Sequence, residues 1–331
     1  MKKLVLVLIA LSMAVAACSS DSGSKVVTIA DVGGHPDGVT VADSGNIYIT
    51  DIVSGEIKQV AEDGTVTVVA DLDAHPDGIT AITDGTTDIL YIADTGSAVD
   101  GTSTDGSITK IEVQSNGIVT TTEDFIGTTD LDNPSGIAAD SNGNLYVADQ
   151  QTNNVYRINM TNGVPGTPES LTDSPGFGVE INDPHGLTLV TNDDGSITLY
   201  TTDQGDTDNN VVQIDIPASG DINGVVVSEL TPDNTGGTDT GDITNAKFNE
   251  PHGISTDKNG AIFVCDENNN RVQIITPSGN VITFAGDGTA GDSDGQAETA
   301  KLNKPRGLAT DAGGDLLVCD YGNGKVKKIV R

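Results

Sequence analysis

Four histidines stand in this chain of 331 residues, and each of them flanks a proline. His35 and His75 precede Pro36 and Pro76, while His185 and His252 follow Pro184 and Pro251. Imidazole is a good donor to zinc, copper, iron or nickel, and acids lie close by at Asp37 and Asp77. The four histidines are therefore a candidate transition-metal set, in which the metal would act as Lewis acid or water activator. The same slots recur at Pro134 and Pro305, giving two rings of six residues. Before the prolines stand His35, His75, Asn133, Asp183, Glu250 and Lys304; after them stand Asp37, Asp77, Ser135, His185, His252 and Arg306. Residues two apart in extended chain point the same way, so both rings are expected to face one cavity. Asp37, Asp77, Ser135 and Arg306 are the candidate ligand-binding residues there. Arg306 can clamp a ligand carboxylate or pair with a rim acid. The plainer reading of the histidines is that they are rim residues bonded to carbonyls. Ser135 lacks the strand–turn–helix setting of a nucleophile elbow, and no catalytic residue is assigned; whether the chain is an enzyme stays open.

What must position these residues is a sixfold phrase: proline, any residue, glycine, an apolar run, a turn, a second apolar run, then aspartate. The prolines are Pro36, Pro76, Pro134, Pro184, Pro251 and Pro305; the closing aspartates are Asp51, Asp94, Asp149, Asp203, Asp266 and Asp320. In four copies 15 positions separate the two, and in the others 18 and 19, with the additions in polar turns. Such spacing marks a repeat architecture. Gly136 to Ala139, Asn144 to Asp149 and Val155 to Asn159 read as three short strands joined by turns. Gly64 to Ala70 and Asn280 to Ala285 read as fourth strands in other copies. No long segment has helical period. The fold class expected is all-β, a six-bladed β-propeller of four-stranded antiparallel blades. The last repeat ends at Arg331 after its third strand, and one spare strand, Lys25 to Asp31, precedes the first proline. That strand is expected to complete the sixth blade and close the ring. The closing aspartates, present in every copy, are expected to be scaffold, accepting main-chain N–H bonds as Asx turns do.

The copies EPHGISTDKNGAIFVCDENNNRVQII (250–275) and KPRGLATDAGGDLLVCDYGNGKVKKI (304–329) resemble the NHL repeat family of six-bladed propellers. The preceding AKFN and AKLN, from Ala246 and Ala300, fit that family too. The resemblance covers nearly all of residues 25–331 and implies the fold; the family spans scaffolds, receptors and enzymes. The Pro-His-Gly copies at 184–186 and 251–253 also resemble peptidylglycine alpha-amidating lyase, in which three histidines after prolines hold zinc. Residue by residue this implies His185 and His252 as ligands. The third histidine is missing, because Asp37, Asp77, Ser135 and Arg306 occupy the remaining slots; His35 or His75, two residues earlier, is the candidate substitute. The His-Pro-Asp-Gly copies at 35–38 and 75–78 are similar to gluconolactonase-like propellers, which implies calcium in the channel.

Met1-Lys-Lys, an apolar stretch from Leu4 to Ala17 and then Cys18 have the layout of a bacterial leader, and Val15 to Cys18 resembles a lipobox. Residues 1–18 are read as a lipoprotein signal peptide with Cys18 lipidated, 19–24 as a polar linker and 25–331 as the propeller. The expected location is the bacterial envelope, on the outer membrane, with membrane contact through the anchor alone. With 49 acidic and 16 basic residues the formal charge is −33, which argues against nucleic acid as a partner. Aspartate outnumbers glutamate 39 to 10. Turn chemistry explains most of this, and Asp203-Gln-Gly-Asp206-Thr-Asp208 and Asp292-Ser-Asp294-Gly295 are candidate calcium turns that lack the full loop pattern. Cys265 and Cys319 share one slot in adjacent repeats. Neighbouring sheets pack on the order of 10 Å apart, whereas a disulfide needs Cα atoms within about 7 Å, so both are read as small buried side chains. With no tryptophan, an aromatic stacking platform for sugars or single strands is not expected. The function expected is a lipid-anchored propeller that binds an envelope protein or small ligand at its channel mouth. The alternative is a metal-dependent lyase or hydrolase at the same place.

Overall fold

The computed structural model describes residues 23–72, 74–96, 106–127, 130–172, 179–205, 209–232, 236–238 and 240–331. The leader, Cys18 and the linker up to residue 22 lie outside these residues. Six antiparallel four-stranded sheets stand in a ring, one for each copy of the phrase, and two of them carry an extra two-residue strand, Gly241–Asp242 and Gly295–Gln296. The molecule is a six-bladed propeller. Among the described residues no helix is long and apolar enough to cross a membrane.

Each blade begins at its proline, which lies directly opposite its closing aspartate: Pro36 with Asp51, Pro134 with Asp149, Pro305 with Asp320, and likewise in the other three. In all six the register then slips before the third residue after the proline. Proline cannot donate to the ladder, and a bulge is where a strand tolerates that and re-aims a side chain. The residue after each proline is turned toward the channel in this way.

The repeated glycine has a steric cause. A Cβ on Gly38 would meet the Asp77 carbonyl oxygen at 2.4 Å, one on Gly136 the His185 oxygen at 2.0 Å, and one on Gly307 the Asp37 oxygen at 2.1 Å. Gly78, Gly186 and Gly253 make the same approach to Ser135, His252 and Arg306. Each glycine therefore touches the next blade, and the sixth touches the first. Six apolar clusters fill the six seams between blades, from Val39, Ile49 and Cys319 between the last blade and the first to Phe263, Leu308 and Val318 between the fifth and sixth. Cys265 and Cys319 are buried free thiols in these seams, as their slot predicts. The slot ties neighbouring blades: Thr50 Oγ1 donates to the Asp77 carbonyl at 2.6 Å and Thr202 Oγ1 to that of His252 at 2.6 Å.

The spare strand closes the ring as expected. Lys25–Asp31 pairs antiparallel with Lys325–Val330, from Lys25 opposite Val330 to Asp31 opposite Lys325. The Asp292–Asp294 turn clasps this join and is no open cradle. Asp294 accepts from Thr28 N at 2.8 Å and Thr28 Oγ1 at 2.9 Å, and Asp292 lies 2.9 Å from the buried Lys327 ammonium. Both ends of the described chain lie on the face opposite the prolines, where Arg331 N bonds Asp315 in a first-to-second-strand turn. Of the other candidate calcium turn, Asp206 and Asp208 lie outside the described residues.

Candidate functional site

The proline end of the channel carries two sets of polar residues, one outside the other. The outer set is the closing aspartates. Asp51 accepts from the backbone of His35 at 3.2 Å and Ser54 at 3.2 Å, and from the Lys58 ammonium at 2.7 Å. Asp149 accepts from Asp132 N, Asn133 N and Thr152 N, and Asp266 from Asn249 N, Asn269 and Arg271. Asp94, Asp203 and Asp320 take backbone N–H groups in the same way. This is the scaffold role that their presence in every copy predicts.

The inner set is the ring after the prolines. Asp37, Asp77, Ser135, His185 and His252 line a cavity of about 60 Å³, floored by the six glycines and by Val39, Ile79, Ile137, Leu187, Ile254 and Leu308. Ser135 Oγ donates to Asp77 Oδ2 at 2.7 Å and lies 3.2 Å from His185 Nδ1. The rings of His185 and His252 pack with centroids 4.6 Å apart. Arg306 Nη1 donates to Asp37 Oδ2 at 2.7 Å, so this arginine pairs with a rim acid. His252 Nε2 reaches across to 3.6 Å from Asp37 Oδ1. That oxygen is buried and finds no hydrogen-bond donor. An unmet buried polar group costs about 1–3 kcal/mol.

Burial, aided by the neighbouring Asp37 charge, pushes the Asp77 carboxyl up to about 8. Burial holds His185 well below its ordinary value, with His252 and Arg306 adding to the effect, and burial together with Arg306 does the same to His252. Both imidazoles are therefore neutral at pH 7 and offer lone pairs. Burial works against charge on Arg306, but Asp37 and Glu267 raise its affinity for the proton and keep it cationic.

The ring before the prolines does not share this cavity. His35 packs on Tyr321, ring centroids 5.1 Å apart, and His75 Nδ1 bonds the Gly96 carbonyl at 2.7 Å. At three of the six positions the two-residue alternation fails because the backbone is left-handed there. Asp183, Glu250 and Lys304 have φ of 68°, 52° and 52°, and His35 follows Gly33 and Gly34 at 62° and 57°. The four imidazoles thus do not converge, and the three-histidine arrangement implied by the amidating-lyase resemblance does not fit: only His185 and His252 come together. Among the described residues, donors that do come together are those of Asp37, Asp77 and His252.

A third ring escaped sequence reading: the residue after each closing aspartate. Glu267 takes Arg306 Nε at 3.1 Å and the Lys304 ammonium at 3.3 Å, and Tyr321 lies under the Arg306 guanidinium at 3.9 Å. Gln150 contacts His185 Nε2, and Gln204 donates to the Pro251 carbonyl. The signal was available, since this slot reads Ile52, Thr95, Gln150, Gln204, Glu267 and Tyr321, as varied as the rings beside the prolines.

Comparison with known proteins agrees with this architecture. The NHL repeat model matches residues 131–158, 248–275 and 302–329, which are the third, fifth and sixth blades. Suppressor of quenching 1, a chloroplastic protein of Arabidopsis thaliana, is 35% identical over 80 residues, covering 24% of this chain and 8% of that protein. This chain therefore corresponds to a small part of that relative. Among solved structures, an auxiliary nutrient binding protein from Bacteroides thetaiotaomicron superposes with a TM-score of 0.71 at 17% identity, over 93% of this chain and 76% of that one. A gluconolactonase from Xanthomonas campestris gives 0.64 at 13% identity, over 95% and 92%. Virginiamycin B lyase from Staphylococcus aureus gives 0.55 at 17% identity, over 93% and 99%. At these identities the likeness is one of fold.

Proposed function

We propose that this NHL-repeat propeller is a lipid-anchored binding module of the bacterial envelope whose channel mouth takes a small ligand or the tip of a partner protein's side chain. The observation that carries the reading is the contrast within the mouth. Six scaffold aspartates are satisfied, whereas the ring inside them is buried or half-buried, holds two acids, a serine, two imidazoles and an arginine, and leaves Asp37 Oδ1 without a donor. A site that must recognise one molecule needs such unlike groups at fixed positions, and the identical blades supply the rigid frame. The cavity of about 60 Å³ admits a functional group and not a whole sugar or peptide, so the rest of a larger ligand would lie outside it. The binding-protein neighbour supports this reading as a precedent of fold.

A second reading, lyase or hydrolase chemistry at the same mouth, is favoured by one feature: the run from His185 through Ser135 to Asp77 could relay a proton. The gluconolactonase and virginiamycin B lyase neighbours supply precedents of fold for it.

The test is a thermal-shift screen of sugars, amino acids, peptides and lactones against the chain and a Ser135→Trp variant, which fills the mouth. A ligand whose stabilisation disappears in the variant supports the reading. Stabilisation retained in full would move binding elsewhere, and turnover of a lactone would favour the enzyme. Labelled palmitate should enter the chain in a bacterial host and be lost in Cys18→Ser; equal labelling of both rejects the anchor.

A further inference from the structure

We propose that the channel mouth binds a divalent transition-metal cation between the carboxylates of Asp37 and Asp77 and the imidazole of His252. The three residues come from the first, second and fifth blades, and one donor atom from each lies within 4.8 Å of the other two. All three are buried, at 1%, 5% and 6% exposure. Acids gathered in one place are not in themselves a site. What points to a cation is the state of the Asp37 carboxylate. Its Oδ2 is fixed by Arg306 Nη1, while Oδ1 accepts no hydrogen bond although no solvent reaches it. The arginine thereby aims the free oxygen across the cavity at His252 Nε2, 3.6 Å away. Among the described residues no hydrogen bond occupies a His252 ring nitrogen. An anionic oxygen and an imidazole facing each other across a polar void are groups that a cation would satisfy together.

The donor set also selects the cation. Two carboxylates with one imidazole suit zinc, manganese or iron better than calcium, which takes six to eight oxygens. Ser135, bonded to Asp77 Oδ2, orients that carboxylate, as partners of metal ligands commonly do. His35 and His75 take no part, since Tyr321 and the Gly96 carbonyl hold their rings elsewhere. The inference rests on the channel mouth being the functional site, and it can fail while binding of an organic ligand there survives.

The test is calorimetry and elemental analysis of the full chain, stripped with chelator and then titrated with Zn²⁺ alone, Mn²⁺ alone or Ca²⁺ alone. The expected result is one Zn²⁺ or Mn²⁺ per chain. Asp77→Asn and His252→Gln should each weaken it by at least about 100-fold, the upper end of what loss of an outer-shell partner costs, while His75→Ala leaves it unchanged. Both ligand variants keep a polar side chain, and a thermal midpoint confirms that they fold. The proposal is overturned if neither Zn²⁺ nor Mn²⁺ binds stoichiometrically, if Ca²⁺ binds in preference, or if binding persists in folded Asp77→Asn and His252→Gln. Equal loss in His75→Ala would overturn it as well.

Discussion

Asp51 and Asp37 are both buried aspartates at the proline end of the first blade, and they live in opposite circumstances. Asp51 is surrounded by donors: backbone N–H groups from its own turn and from the strand entry, and a lysine at 2.7 Å. Asp37 has an arginine on one oxygen and no hydrogen-bond donor on the other. The first arrangement recurs in every blade and holds the blade's entry to its turn. The second occurs once, because no other blade places an acid between an arginine on one side and another acid on the other. In a repeat protein, identity between copies serves the frame, and departure from it marks where the frame is put to use.

Three measurements press on this contrast. The largest effect is expected from Asp51→Ala. It leaves the Lys58 ammonium, 7% exposed, facing only Glu56 and a carbonyl, and strips the turn of its acceptor. Removing one partner of a buried pair costs about 3–5 kcal/mol, and the denaturation midpoint should fall accordingly. A loss no larger than that of a surface substitution would mean that the outer aspartates are not scaffold.

Gly307→Ala comes next. The new methyl would stand 2.1 Å from the Asp37 carbonyl oxygen, a backbone atom that cannot swing aside. Overpacking of this kind costs about 1–3 kcal/mol, and here it also displaces Asp37, so stability and mouth binding should decline together. Unchanged binding in a destabilised protein would separate the two rings more sharply than proposed.

The third effect is a slope with pH and not a single loss. Asp77 has its folded value raised from 3.8 to about 8, so between these limits the folded state holds a proton that the unfolded chain gives up. Stability contributed by this group is full at low pH and declines as pH rises toward 8, by at most about 1.4 kcal/mol per pH unit. Asp77→Asn should flatten the fall in thermal midpoint between pH 5 and 8 relative to the parent. Parallel curves would show that Asp77 is ionised throughout.

Much of this was legible in the sequence, because the phrase records backbone requirements. Proline marks a strand start that cannot donate, glycine a contact with the next blade, and aspartate the acceptor for a turn, and each answers to backbone that every blade repeats and not to a particular side-chain partner. The six residues after the prolines were legible as a ring for the same reason. What the sequence did not show is which way the residues before the prolines turn. Left-handed backbone at Asp183, Glu250 and Lys304 undoes the alternation, and side chains of these types do not announce it. The pairing of Arg306 with Glu267 and Tyr321 was hidden too, since it joins a residue after a proline to residues after two closing aspartates, positions that meet only when the fifth and sixth blades pack side by side.

The closing strand has a mechanical consequence. Lys25 and Val330 are register partners, so the two ends of the propeller leave from the same end of one antiparallel pair. A pull that separates these ends loads the hydrogen bonds one at a time, as a zipper is opened, and not all together in shear. The ring is thus weakest against tension between its own ends. A load applied at the mouth and resisted at residue 25 alone would run along the strand and meet the whole register of the sixth blade, with the Asp294–Thr28 contact beside it.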